Sequence, residues 1–291
     1  MASLKEVRNR IKSVESTQQI TKAMKMVSAA KLRRAQTAIQ QMRPYAKKLT
    51  ELISNLSGNA ENPELAAYTE EREVNKVLLV VVTSDRGLCG GFNSSVFKGV
   101  QTRIEEAYSK QAAKGNVTLL TIGKKGFEFF SKRNFLVDAG YTQLLQNYSF
   151  DRVRNVAESV MDQYVAGDYD RVEIVYNEFK NAVTQILRFE QFLPILPAAS
   201  ETTSNVDYIF EPNQEDILTS LVPKSLKLQF FKAILDSAAS EQGARMSAME
   251  KATENAGALL KDLRLSYNRS RQAAITNEIL EIVGGAEALK G

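Results

Sequence analysis

Cys89 is the one cysteine of the chain, and it lies in Ser84-Asp85-Arg86-Gly87-Leu88-Cys89-Gly90-Gly91, directly after the apolar run Val77–Thr83. A thiol among glycines behind a buried strand suggests two chemistries, a nucleophile or a phosphate cradle of backbone N–H groups. Neither has its other parts. The chain contains no histidine, so no imidazole activates the thiol, and histidine triads and most catalytic zinc sites are excluded. The glycine spacing, Gly87-x-x-Gly90-Gly91, matches neither G-x-x-x-x-G-K-[ST] nor G-x-G-x-x-G. After the second apolar run the chain reads Gly123-Lys124-Lys125, where a dinucleotide site would carry an acid for the ribose. The loop therefore reads as a tight structural turn with Cys89 as a small packed residue. A lone cysteine also excludes internal disulfides and multi-cysteine zinc sites. No catalytic residue, cofactor or metal ligand is expected in this chain.

The elements around that loop alternate. Strands read at Val77–Thr83, Val117–Ile122, Val172–Glu178 and Val183–Leu193, with helices opening near Asn93 or Ser94, over Lys124–Lys132 and over Asp151–Val165. Strand–helix alternation predicts a small α/β, Rossmann-like sheet of parallel strands. Glycine and proline confine it: residues 58–212 hold ten of the fifteen glycines and four of the six prolines. Residues 1–57 have no glycine and only Pro44, so long helical arms flank the turn-rich middle. The expected domains are an N-terminal coiled-coil helix (1–57), a central α/β domain (58–212) and a C-terminal coiled-coil helix (213–291).

Alternate steps of three and four residues from Leu4 to Leu56 meet an apolar residue at twelve of sixteen positions, which is a coiled-coil seam. The four exceptions, Gln18, Thr21, Lys25 and Ser28, are consecutive. The nearby apolar residues are Ile20, Met24 and Val27, so the buried face either rotates there or meets something other than its partner helix. Pro44 should kink this helix without ending it. From Leu228 to Leu263 the same stepping fails only at Gln242 and Arg245. The two arms predict an antiparallel intramolecular pair. A helix of 57 residues is about 85 Å long, whereas a globule of this chain length is about 50 Å across, so the pair should project. A bare two-helix rod leaves its flanks uncovered, which fits an end enclosed by a partner, or a spacer or filament.

Composition narrows the partners. At 44% hydrophobic and 25% charged the chain is an ordinary globular one, so wholesale disorder is excluded. No apolar run reaches the ~18–20 residues of a membrane span, and the N-terminus lacks a signal-peptide layout. Residues 1–57 carry twelve Lys and Arg against three acids, a balance of +9 that leaves −5 for the rest of a chain totalling +4. This basic arm suits an acidic partner (nucleic acid, an anionic membrane or an acidic protein surface) or a solvated helix face.

The stretch Ile275-Thr276-Asn277-Glu278-Ile279-Leu280-Glu281-Ile282-Val283-Gly284-Gly285-Ala286 resembles the gamma-subunit signature of rotary, F-type ATP synthases, I-T-x-E-x-x-E-x-x-x-G-A, at every fixed position. The blocks Ile20–Lys31 and Ser84–Asn93 are similar to the same family, in the same order, so the resemblance covers both arms and the centre. It implies a non-catalytic shaft within a hexamer of alpha and beta subunits, on a c-subunit ring beside epsilon. Rotation driven by ion flow would impose the states of the beta subunits that make or hydrolyse ATP. By the same resemblance Met24, Arg245, Gln272, Thr276 and Glu278 are expected to contact beta, and Tyr208 and Glu211 to form the foot on the c ring and epsilon. It further implies peripheral attachment at the cytoplasmic face of a bacterial inner membrane, or the organelle equivalent, through the complex and with no nucleic acid. A nucleic-acid- or membrane-binding coiled coil is the competing reading, and it leaves the three blocks without a role.

Overall fold

The computed structural model describes residues 4–56, 67–195 and 214–288. They fall into two compact units, one of residues 1–28 with 246–291, the other of residues 29–245. Helix α1 (Leu4–Leu56) runs through Pro44, and helix α6 (Gln214–Ala288) runs through Pro223, so each arm is one continuous helix that contributes to both units.

Between the arms lie β1 (Val77–Val82), α2 (Phe92–Ala107), α3 (Ser109–Ala113), β2 (Val117–Ile122), α4 (Lys124–Phe130), β3 (Leu136–Asp138), α5 (Phe150–Val165), β4 (Arg171–Phe179) and β5 (Gln185–Leu193). The sheet order is β3-β2-β1-β4-β5. β1 pairs in parallel with β2 and β4, and β2 in parallel with β3, but β4 and β5 are antiparallel. The all-parallel expectation thus fails at the last strand. Only the five residues Lys180–Thr184 separate β4 from β5, too few for the crossover that a parallel return requires.

The central strand shows why the sheet needs cover on both sides. All six residues of β1 are buried, and strand periodicity sends them alternately to opposite faces. Leu78, Val80 and Val82 join a core with α5 and with Leu226, Phe230, Ala233 and Ile234 of α6. Val77, Leu79 and Val81 join a second core with Val96, Val100 and Ile104 of α2 and Phe130 of α4. At the end of β2, Gly123 has φ +103, and a Cβ there would fall 2.3 Å from the Thr83 carbonyl oxygen, so no other residue fits. The glycine lets α4 start tightly against β1, where Gly126 N–H donates to Thr83 Oγ1 at 2.9 Å.

Polar groups in these cores are mostly satisfied. Glu173 on β4 accepts from Arg103 Nη2 at 2.6 Å, Arg103 Nε at 3.0 Å and the Tyr108 hydroxyl at 2.5 Å. Burial, then the Glu173 contact, pushes the Tyr108 phenol up to about 12. Glu190 accepts from Tyr176 at 2.7 Å and Gln229 at 2.9 Å. Asp236 of α6 is different. It is 2% exposed, and its Oδ1 has no hydrogen-bond partner. Burial raises its pKa to about 6, with Glu178 and Glu190 adding to the rise and Lys232 and Arg43 opposing it.

A carboxyl whose folded pKa lies above its unfolded value binds protons more tightly when folded, so its contribution to stability is greatest at low pH and is lost as pH rises through 6. The shift from 3.8 to about 6 corresponds to on the order of 3 kcal/mol of destabilisation at pH 8. Asp236→Asn should therefore raise the urea resistance of the chain at pH 8, with the gain shrinking toward zero near pH 4. A gain that is independent of pH would mean that the Asp236 charge is not its cause.

Candidate functional site

The antiparallel helix pair in the unit of residues 1–28 and 246–291 is defined by contacts whose numbers rise on α1 as they fall on α6. Arg8 Nη2 donates to the Tyr267 hydroxyl at 2.8 Å, Glu15 faces Arg264 at 3.5 Å, and Lys25 Nζ meets Glu250 Oε1 at 2.5 Å. Apolar burial comes from Val7, Met249, Ala256 and Leu260. Between them the seam becomes polar. Gln18 Nε2 donates to the Thr253 carbonyl at 3.3 Å, and the Thr21 and Thr253 hydroxyl oxygens are 2.8 Å apart. Thr21 and Ser28 are buried at 9% and 2% exposure, while Ile20 and Val27 are each 57% exposed. The buried face does not rotate at the break in the apolar stripe. The seam keeps its register and changes chemistry, which leaves Ile20, Met26 and Val27 on the outside.

The hydroxyl pair is frustrated. Thr21 also faces the Gln18 carbonyl at 3.0 Å and Thr253 the Met249 carbonyl at 2.7 Å. Two hydroxyl hydrogens serve three contacts, so one contact is always unmade.

Residues 271–286 of α6 are exposed at every position, including Ile275, Ile279, Leu280, Ile282 and Val283. Gln272, Thr276 and Glu278 are exposed here, and Gln272 and Thr276, four apart, share a helix face. The Thr276 hydroxyl donates to the Gln272 carbonyl at 3.0 Å. Met24 is half-buried beside exposed Lys22. Tyr208 and Glu211 lie outside the described residues. Lys22, Lys31, Arg33 and Arg34 of the basic arm are exposed.

Arg245 stands apart from the other expected contact residues. It belongs to the unit of residues 29–245 and is 8% exposed. Its Nη1 meets Glu241 Oε1 at 2.6 Å, and its Nη2 donates to the carbonyls of Arg86 at 3.0 Å and Gly87 at 3.3 Å. The strand order reverses between β1 and β4, and in a doubly wound sheet the crevice beyond that reversal takes the ligand. Here α6 occupies it. Arg245 holds the loop after β1, and Gly243 packs on the turn after β4, where a Cβ would come within 3.2 Å of Ala182 Cα. Cys89 packs with Phe92 and Ala244 beneath the loop. Burial pushes its thiol pKa up, against the Ser84 hydrogen bond and the Arg245 charge. Asn93 lies inside α2 and does not cap it. Its side chain instead closes the loop, accepting from Ser84 N–H at 3.0 Å and donating to Ser84 Oγ at 2.7 Å, and Gly91 takes the cap position. Among the described residues no group of three or more cysteine or acidic side chains is placed to hold a metal ion, and no helix is long and apolar enough to cross a membrane.

A family model described as ATP synthase matches residues 3–289. The ATP synthase gamma chain of Cytophaga hutchinsonii is 58% identical over 293 residues, covering 99% of each chain. That of Flavobacterium johnsoniae is 55% identical over 292 residues, covering all of both. The fold is similar to a chain of the central stalk and c-ring structure of the Tetrahymena thermophila mitochondrial ATP synthase, at 30% identity and TM-score 0.58, covering 80% of this chain and 99% of that one. A chain of the Euglena gracilis mitochondrial ATP synthase shares the fold at 21% identity and TM-score 0.65, covering 98% of this chain and 94% of that one.

The frustrated hydroxyl pair gives a stability test. Replacing both partners of a poorly satisfied pair by apolar isosteres removes the penalty without opening a cavity. Thr21→Val with Thr253→Val should slow amide hydrogen exchange over residues 246–260, by on the order of 1 kcal/mol of local opening energy. Faster exchange in the double variant would show that the hydroxyls hold the helices together.

Proposed function

The chain belongs to the family of ATP synthase gamma chains, and on that premise we propose that it is the non-catalytic rotor shaft of an F-type, proton-translocating ATP synthase. The observation that carries this reading is the uncovered end of α6. Six of its large apolar residues, Leu265, Ile275, Ile279, Leu280, Ile282 and Val283, stand 49–67% exposed. An exposed apolar face of this extent marks a surface that a partner covers. A hexamer of alpha and beta subunits enclosing the end is that cover, and ATP is made or hydrolysed there rather than on this chain. The α6-filled crevice supports the same division of labour, since the sheet's one ligand-binding position is taken by the chain's own helix.

Met24, Gln272, Thr276 and Glu278 are the residues we assign to contacts with beta, with Arg245 contributing at the loop after β1. Tyr208 and Glu211 are assigned to the foot that meets the c ring and epsilon. The exposed Lys22, Lys31, Arg33 and Arg34 suit an acidic surface on beta. Attachment to the membrane is peripheral, at the cytoplasmic face, and runs through the complex.

Complementation tests the reading. A complex lacking its gamma chain should regain ATP-driven proton pumping when this chain is supplied, and alpha and beta should copurify with it. Salt-sensitive DNA binding without those subunits would overturn it.

Two variants test the assigned contacts. Hydrogen bonds each contribute about 0.5–1.5 kcal/mol net, so Gln272→Leu with Thr276→Ala should lower both ATP hydrolysis and synthesis by the complex severalfold. The melting temperature of the free chain should hardly change, because both residues are exposed. A matching loss of stability would instead make them structural. Met24→Lys adds a cation beside Lys22, at a place where Lys25 is already paired with Glu250. It should impair coupling while leaving most ATPase activity; unchanged proton pumping per ATP would count against the contact.

A further inference from the structure

Leu88 has φ +62, in the left-handed region, which costs a β-carbon-bearing residue about 1 kcal/mol. It is also 65% exposed, so burial of its side chain offsets little of that cost. Something else must hold the backbone. The carbonyls of Arg86 and Gly87, just before Leu88, both point at the Arg245 guanidinium. Ser84 Oγ donates to the Arg86 carbonyl as well, at 2.7 Å. Arg245 is in turn fixed by Glu241 one turn earlier on α6. Arg86 and Leu88 consequently present their side chains to solvent on a backbone gripped from below.

A guanidinium with 10% of its side chain exposed, and with three acceptors inside its own chain, has little left to offer another subunit. We propose that Arg245 is a positioning residue: it affects the working complex through the Ser84–Gly91 loop, by holding Arg86 and Leu88 in place, and not by touching a partner. This rests on the shaft reading above, and it revises how Arg245 acts within it. Lysine is a poor substitute, because a single ammonium lacks the fork that spans two carbonyls and a carboxylate.

The chain supplies its own reporter, since Cys89 is its one cysteine and is 2% exposed beneath the loop. In the free full-length chain, Arg245→Ala should speed labelling of Cys89 by a neutral maleimide about tenfold or more, as loss of charge-assisted hydrogen bonds raises the open population. Arg245→Lys should fall between, and Glu241→Gln should move in the same direction by less. Glu241→Gln also keeps the test alive if Arg245→Ala does not fold. In the assembled complex, Arg245→Ala and Leu88→Ser should each reduce ATP-driven proton pumping, and the double variant should be no worse than the worse single one. Unchanged labelling together with reduced pumping would overturn the proposal and make Arg245 a direct contact, as would effects of the two substitutions that multiply. Failure of the wild-type chain to assemble with alpha and beta would sink the shaft reading, while the labelling comparison would still judge the latch.

Discussion

Helix α6 is buried around its whole circumference from Ala233 to Ser240. An isolated amphipathic helix buries one stripe; eight consecutive buried residues mean that neighbours stand on every side. Ala233 and Ile234 face the sheet core. On another side, Arg43 and Lys31 of α1 bring their charges to Asp236 and Glu241. Small residues make this possible: Ala233, Ser237, Ala238, Ala239 and Ser240 let backbones approach closely. The rest of the unit follows from this one fit. With α6 in place, the inner face of β1 is covered, the switch-point crevice is filled and the loop after β1 gains its anchor.

Such a fit tolerates polar groups poorly, yet this one contains them. Asp236 Oδ1 and Ser240 Oγ lack partners, and both lie in the encircled stretch. The polar seam of Gln18, Thr21 and Lys25 is the same compromise in the other unit, where carbonyls and hydroxyls replace interlocking apolar side chains. In both places the helix keeps its path and gives up some stability. That distribution differs from an optimised coiled coil, in which polar residues on the seam are isolated and fix register.

Much of this was legible in the residue pattern. The arms show as seams at alternating three- and four-residue spacing, and β1, β2, α5 and the sheet class follow from periodicity and turns. Strand β3, three residues long, is too short to carry a period, and α3 is too short to show a stripe. The direction of β5 escaped because alternation looks alike in parallel and antiparallel strands; the five-residue connection before it was the available signal. At Gln18–Ser28 the heptad count was right, and the error lay in assuming that a seam must be apolar. Arg245 could be seen as an exception on its stripe, but two of its three partners are carbonyls 158 and 159 residues away. No spacing rule reaches a backbone acceptor at that distance.

The missing histidines have one more consequence. Ordinary carboxylates finish titrating below pH 6, and lysine and arginine begin only above pH 9. A chain with no imidazole therefore has almost no side-chain buffering capacity near neutrality, and the carboxyls raised toward that range, Asp236 and Glu241, are enclosed. The surfaces of α1 and of the outer end of α6 draw their charge from lysine, arginine, aspartate and glutamate, residue types whose ordinary pKa values lie away from neutrality. On the proposed shaft reading, this chain's own share of the attraction to its neighbours does not depend on groups that titrate near neutrality.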